Sequence, residues 1–205
     1  ENSTPEQFDR DRSDLEREAQ LLVQVQDGLV NGNPALGLPA EVLAAQGFTG
    51  KADQTAVVEA VGGGVIVAVG LGPVDAVDVH RLRRAAAQAV RTSSRLGSVA
   101  IPFLDVIPDL TASQRVVVAR AVAEGVGLGA YRYTELRSIA GPSGPERVVV
   151  VGRGGQRVEA AVAEGARIAE AQNLARDLVN TPGGTLTPSL LAEAAIAEAV
   201  AFSQT

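Results

Sequence analysis

Arg147-Val-Val-Val-Val-Gly-Arg-Gly-Gly155 is a β-branched run closed by a glycine turn. From Gln156 the character changes. Val158, Ala161, Val162, Gly165, Ile168 and Ala169 recur at spacings of three and four, which predicts one long helix over 156–179. A strand that turns directly into a long helix is the repeating unit of a parallel sheet. Four successive valines suit a central strand covered on both faces.

The same alternation extends backward from this stretch. Helices are predicted over 74–96, ended by Gly97, and from Thr111 or Ser113 to about Gly129. The second should bury Val118, Ala121, Val122, Gly125, Leu128 and Gly129, with the glycines allowing close approach. A short strand, 98–103, lies between these two helices. Further back, 21–26 reads as a strand and 39–46 as a short helix. Residues 56–61 and 65–69 read as strands joined across Gly62-Gly63-Gly64. Forward of the long helix, Pro182 stops it and Thr187-Pro188 starts another, running to 202. The fold class is α/β: a mixed, largely parallel sheet with helices on both faces.

Composition narrows the function. The chain has 205 residues, enough for a full core. Aromatics are 3% of it, so Val, Ala, Leu and Ile are expected to build the interior. The net charge of −6 argues against general affinity for nucleic acid or anionic membranes. With no cysteine, disulfides, thiolate metal sites and cysteine nucleophiles are excluded. No apolar run reaches the ~20 residues of a membrane span. Residues 1–18 carry ten charges and read as a polar tail or a short N-terminal helix, without a secretory signal. There is no Met, so the natural start is expected upstream or removed.

Candidate chemistry is sparse, and each candidate has a structural rival. Gly70-Leu-Gly72 and Gly152-Arg-Gly-Gly155 follow strands and could present N–H groups to an anion, or simply turn the chain tightly. Pro73 removes an N–H from the first, and the second lacks the dinucleotide spacing. Arg81, Arg84, Arg91 and Arg95, with Arg83 beside them, form a stripe that could meet nucleic acid or an acidic partner, or be a solvated face. His80, the sole histidine, is expected at the surface, and no Gly-x-Ser-x-Gly elbow accompanies it. The acids Asp75, Asp78, Asp105, Asp109, Glu124 and Asp177 are dispersed, whereas a two-metal site needs several carboxylates together.

Four segments, in order, resemble the leucyl aminopeptidase (cytosol aminopeptidase) family. They are Phe48-Thr-Gly-Lys51, Val67-Ala-Val-Gly-Leu-Gly72, Glu124-Gly-Val-Gly-Leu-Gly-Ala-Tyr-Arg-Tyr133 and Ala175-Arg-Asp-Leu-Val-Asn-Thr-Pro182. The last two are the specific ones. Gly183-Gly184 and Pro73 depart from the family pattern, and the glycine pair is expected to loosen the turn. The family's catalytic signature, Asn-Thr-Asp-Ala-Glu-Gly-Arg-Leu, is absent, so no catalytic, cofactor-binding or metal residue is assigned.

The resemblance implies a three-layer, macro-domain-like α/β/α sandwich over 19–180. Residues 181–205 would then be the junction and first helix of a missing catalytic domain. It implies a cytoplasmic parent that releases N-terminal amino acids, leucine preferred, from peptides with two divalent metals, Zn or Mn. It also implies that this part serves packing, access and assembly of a homo-hexamer and is inactive alone. Two other readings stay open: a free-standing macro-type module holding an ADP-ribose-like ligand, and a DNA or protein interaction domain.

Overall fold

The computed structural model describes residues 19–24, 40–59, 64–73, 76–107, 109–135 and 144–203. The polar tail expected at 1–18 and the loop expected at 31–39 therefore lie outside the described residues. The elements are β1 (Ala19–Gln24), α1 (Ala40–Ala45), β2 (Thr55–Glu59), β3 (Val65–Gly70), α2 (Val79–Thr92) and β4 (Ser98–Ile101). They continue with α3 (Phe103–Val106), α4 (Ala112–Ala130), β5 (Arg147–Val150), α5 (Gly155–Asn180) and α6 (Pro188–Ser203).

The sheet order is β2-β3-β1-β4-β5. β2 runs antiparallel to β3, with Val57 opposite Val67. The other three pairings are parallel, with Leu21 beside Val67, Gln20 beside Ala100 and Val149 beside Ala100. The expected mixed, largely parallel sheet is present.

The strand expected at its centre is not at its centre. β5 pairs only with β4 among the described strands, and its three valines are half-buried. The strands buried along all or nearly all of their length are β4 and β3. A run of valines reports β-propensity and burial, and an edge strand packed under α4 supplies both. Only pairing partners fix a strand's place in the sheet.

Strand alternation divides the interior in two. On one face Val67, Val69, Val99 and Ile101 pack against Leu82, Ala86 and Val90 of α2, Val118 and Val122 of α4, and Val158 and Ala161 of α5. On the other, Ile66 and Ala68 pack with Ala56, Val58, Phe48 and Leu43 of α1. Alanine dominates the helical positions, which brings backbones close and removes the need for large side chains. Two of the four phenylalanines nevertheless complete the core, Phe48 and the fully buried Phe103. An interior of aliphatics alone, as composition suggests, leaves them out. Burying each contributes about 1.5–3 kcal/mol.

α4 lies between α2 and α5, so it buries more than a single stripe: Ala119, Ala123 and Glu124 join the predicted residues, while Leu128 is only half-buried. It starts with a capping box, Thr111 and Gln114 each bonding the other's backbone N–H. α2 is shorter than expected. Asp78 caps it, the carboxylate accepting from Arg81 N at 2.8 Å, and Ser93 closes it.

Candidate functional site

The four sequence motifs fold into two interlocked pairs. In the first, Gly72 N donates to Gly50 O at 2.9 Å, Asp53 N to Gly70 O at 3.1 Å and Gly70 N to Gln54 O at 2.8 Å. A side chain at Gly70 would collide with the Lys51 carbonyl, so glycine there serves close backbone approach. Gln54 ties the loop further, its amide donating to Gly47 O at 2.7 Å and its oxygen accepting from Thr49 N at 2.9 Å.

The second pair joins the end of α4 to the end of α5. A helix C-terminus leaves its last carbonyls unpaired and carries partial negative charge. Here α5 supplies the missing donors. Asn173 Nδ2 donates to Gly127 O at 3.1 Å, and Arg176 Nη1 donates to Leu128 O at 3.3 Å and to Asn173 Oδ1 at 3.0 Å. The Arg176 guanidinium also stacks 3.7 Å over the centre of the Tyr131 ring. Tyr131 OH donates to Asp177 Oδ1 at 2.7 Å and accepts from Asn180 Nδ2 at 3.0 Å.

One turn on, Thr181 Oγ1 gives its single proton to Asp177 O at 2.7 Å. Tyr133 OH, 3.2 Å from that oxygen, is therefore the donor in their contact. Residues 173, 176, 177, 180 and 181 follow the three-and-four spacing of one helix face, which is why they meet Tyr131 and Tyr133 together. Desolvation, and then the Asp177 hydrogen bond, raise the Tyr131 phenol above its ordinary pKa, so it stays a donor through the neutral range.

Beyond this clasp of the two helix ends, hydrogen bonds close the turn. Pro182 O accepts from Thr185 N and from Leu186 N, both at 2.8 Å, and Thr187 Oγ1 accepts from Leu190 N at 3.4 Å to start α6. Gly183 and Gly184 take no positive φ, so the turn does not require glycine's wider backbone range at either position. Among the described residues α6 packs substantially on no other element. Leu190, Leu191, Ile196 and Val200 are exposed along it, and Val179, at the end of α5, is 84% exposed.

The other candidates resolve into structure. Gly152 is crowded by the Leu104 side chain and Gly154 by Val158. Their turn borders a cavity of about 250 Å³ whose walls include Arg115, Arg153 and Arg157. The arginine stripe is largely committed within the chain. Arg81 Nη1 donates to Leu71 O at 2.9 Å, Arg84 pairs with Asp53, and Arg83 Nε pairs with Glu124 Oε2 at 2.5 Å. Arg91 and Arg95 are exposed.

His80 is exposed, its Nδ1 accepting from Arg83 Nη1 at 3.1 Å. Glu124, 7% exposed, is the buried centre of a ladder across three helices. Arg120 lies 3.8 Å from its other oxygen and reaches Glu164 of α5 at 3.3 Å. By sequence Glu124 is one of several dispersed acids; what marks it is its place among small residues on the buried face of α4. Asp78 serves as a cap, and its backbone hydrogen bond from Arg81 lowers its pKa. Asp109 sits in a turn at φ 55°. Asp75 and the Asp105 side chain lie outside the described residues. Among the described residues, no group of three or more His, Cys, Asp or Glu gathers to hold a metal ion.

The N-terminal domain of the cytosol aminopeptidase family matches residues 34–140. A probable cytosol aminopeptidase of Rhodococcus opacus is 33% identical over 179 residues, which is 82% of this chain and 33% of the relative. This chain belongs to the cytosol aminopeptidase family. A probable cytosol aminopeptidase of Leifsonia xyli is 39% identical over 160 residues, 77% of this chain and 30% of its own. Among solved structures, the bottromycin maturation enzyme BotP is 33% identical, with a TM-score of 0.71 over 86% of this chain and 36% of that one. A tomato leucine aminopeptidase variant shares the fold, with a TM-score of 0.73 over 99% of this chain and 42% of that one, at 23% identity. The chain thus spans about a third of the length of the curated relatives it matches. No helix among the described residues is long and apolar enough to cross a membrane.

Proposed function

We propose that this chain is the assembly and packing domain of a metal-dependent leucyl aminopeptidase, with the peptide chemistry carried by a catalytic part beyond α6. The observation that carries the reading is α6 itself, whose Leu190, Leu191, Ile196 and Val200 are exposed on a helix that packs substantially on no other described element while the chain leading to it is tied down. Exposed apolar side chains grouped on one short segment mark a surface to be covered. In this reading residues 19–180 are the domain and 181–205 the junction and first helix of the next.

Relatives named cytosol aminopeptidase support a cytosolic hydrolase acting on peptides. A BotP structure in complex with Mn supports Mn or Zn as the metal class. The described residues do not form a site for such a metal pair, so the pair is assigned to the catalytic part. Homo-hexamer formation by the whole protein completes the proposal. The ADP-ribose reading loses ground because the crowded glycines at 152 and 154 serve packing.

The test compares this chain with the product of its full reading frame on leucine p-nitroanilide, with Mn²⁺ or Zn²⁺ added. Activity in the longer product alone is expected. Activity in the 205-residue chain, or inactivity in both, overturns the reading.

A further inference from the structure

The clasp joins residues that the body does not need for its core. Arg176, Asp177 and Asn180 are exposed, and Tyr131, Tyr133 and Thr181 are half-buried. Nor is the clasp needed to end α5, because Pro182 already disfavours helix at Thr181, which is extended with ψ 123°. Yet hydrogen bonds and a stacked cation fix the last two turns of α5 to the end of α4. The turn after it is closed on Pro182 O, and α6 starts at its own cap. Each joint between the body and α6 is held by a named bond.

We propose that this clasp is a positioning device that sets the direction in which α6 leaves the body, with Tyr131, Asp177 and Asn180 as its positioning residues. It is a strap across two helix ends. Its cargo is α6; that a further part follows α6 rests on the proposed function above. Arg176 meets the α4 C-terminus and roofs the Tyr131 ring, whose phenol is bonded to Asp177 and Asn180. Asp177 is the hub, its side chain accepting from Tyr131 and its carbonyl from the hydroxyl and N–H of Thr181.

The chain contains no cysteine, so Val117→Cys on α4 and Glu198→Cys on α6, both at exposed positions, can be spin-labelled uniquely. The readout is the distance distribution between the labels by pulsed electron spin resonance. A single narrow distance is expected. Asp177→Ala is expected to broaden it at least two-fold, and Asp177→Asn, which keeps an acceptor for Tyr131, to keep it narrow. Circular dichroism checks that the body stays folded, and Tyr131→Phe gives an independent opening should Asp177→Ala not fold. A distribution already broad in the parent pair overturns the proposal, as does one that stays narrow in folded Asp177→Ala and Tyr131→Phe. These distances are read on the 205-residue chain, so loss of the aminopeptidase reading leaves the result standing.

Discussion

The crossing of α2 with α4 and the passage from α5 to α6 use the same residue types to opposite ends. At the crossing, Gly125 and Gly129 let α4 lie against the backbone of α2 at Arg83 and Ala87. A carboxylate is buried there between two arginines. At the passage, a Cβ at Gly183 or Gly184 would meet nothing within 4 Å, arginine stacks on a half-buried ring, and the apolar side chains face outward. The first region is finished within this chain. The second leaves its apolar side chains uncovered among the described residues.

The sharpest way to break this contrast is at Glu124. Removing the buried carboxylate takes away its charged hydrogen bond from Arg83 and its ion pair with Arg120, both arginines being part-exposed, at a cost of about 1.5–3 kcal/mol. Glu124→Ala is therefore expected to lower the free energy of unfolding in urea by that amount. A loss under about 1 kcal/mol would mean that the ladder His80–Arg83–Glu124–Arg120–Glu164 is solvated rather than structural.

Glycine offers a comparison at constant chemistry. Gly125→Ala gains helix propensity of up to ~1 kcal/mol. Its methyl, however, would fall inside the Arg83 carbonyl, a backbone group that no rotamer change can move. Overpacking wins, and a net loss of about 2 kcal/mol is expected. Gly183→Ala meets nothing and needs no positive φ, so restricting the unfolded chain is expected to stabilise the fold by about 0.4–1 kcal/mol. Opposite signs from one substitution type would sharpen the contrast; equal signs would erase it.

How much of this is legible in the sequence depends on the range of the interactions. The long helices, the caps at Thr111 and Thr187 and the stop at Pro182 are local, so periodicity and side-chain type reveal them, although the start of α2 at the Asp78 cap falls later than the pattern suggests. The placement of β5 at the described edge of the sheet is not local, because parallel pairing joins residues far apart in sequence. The clasp lies between these cases. Arg176, Asp177, Asn180 and Thr181 visibly share a helix face, but nothing in the spacing says that Tyr131 and Tyr133 lie against it. Only the family resemblance singles out both segments, and it does not say that they touch. The arginine stripe misleads for a related reason: its partners Asp53, Glu124 and the Leu71 carbonyl come from other elements.

The clasp carries its own titration. The Tyr131 phenol has a raised pKa in the folded chain, so folding binds its proton more tightly than the unfolded chain does. Its contribution is complete below the unfolded value of about 10 and is lost as pH climbs through the folded value. A local transition above about pH 10, seen as phenolate absorbance together with faster cleavage in the 181–187 turn by an alkali-tolerant protease, is expected. Tyr131→Phe should cleave rapidly at every pH and lose the step. Cleavage that ignores pH in both proteins would detach the phenol from the turn.

The smallest expected effect tests the uncovered side of the comparison. Ile196 is 64% exposed, in the middle of a helix without substantial packing on the other described elements. Burying isoleucine normally contributes about 1.5–3 kcal/mol, and its replacement by a polar residue at a buried site forfeits that. At a surface position the change stays within about 0.5 kcal/mol. Ile196→Gln should therefore leave urea unfolding of this chain unmoved, since glutamine matches or exceeds isoleucine in helix propensity. A loss above about 1 kcal/mol would place Ile196 in the core of this chain and end the contrast between a finished crossing and an uncovered helix. An unmoved midpoint here, together with a lower unfolding temperature for the same substitution in the full-length protein, would locate the missing cover in the chain beyond α6.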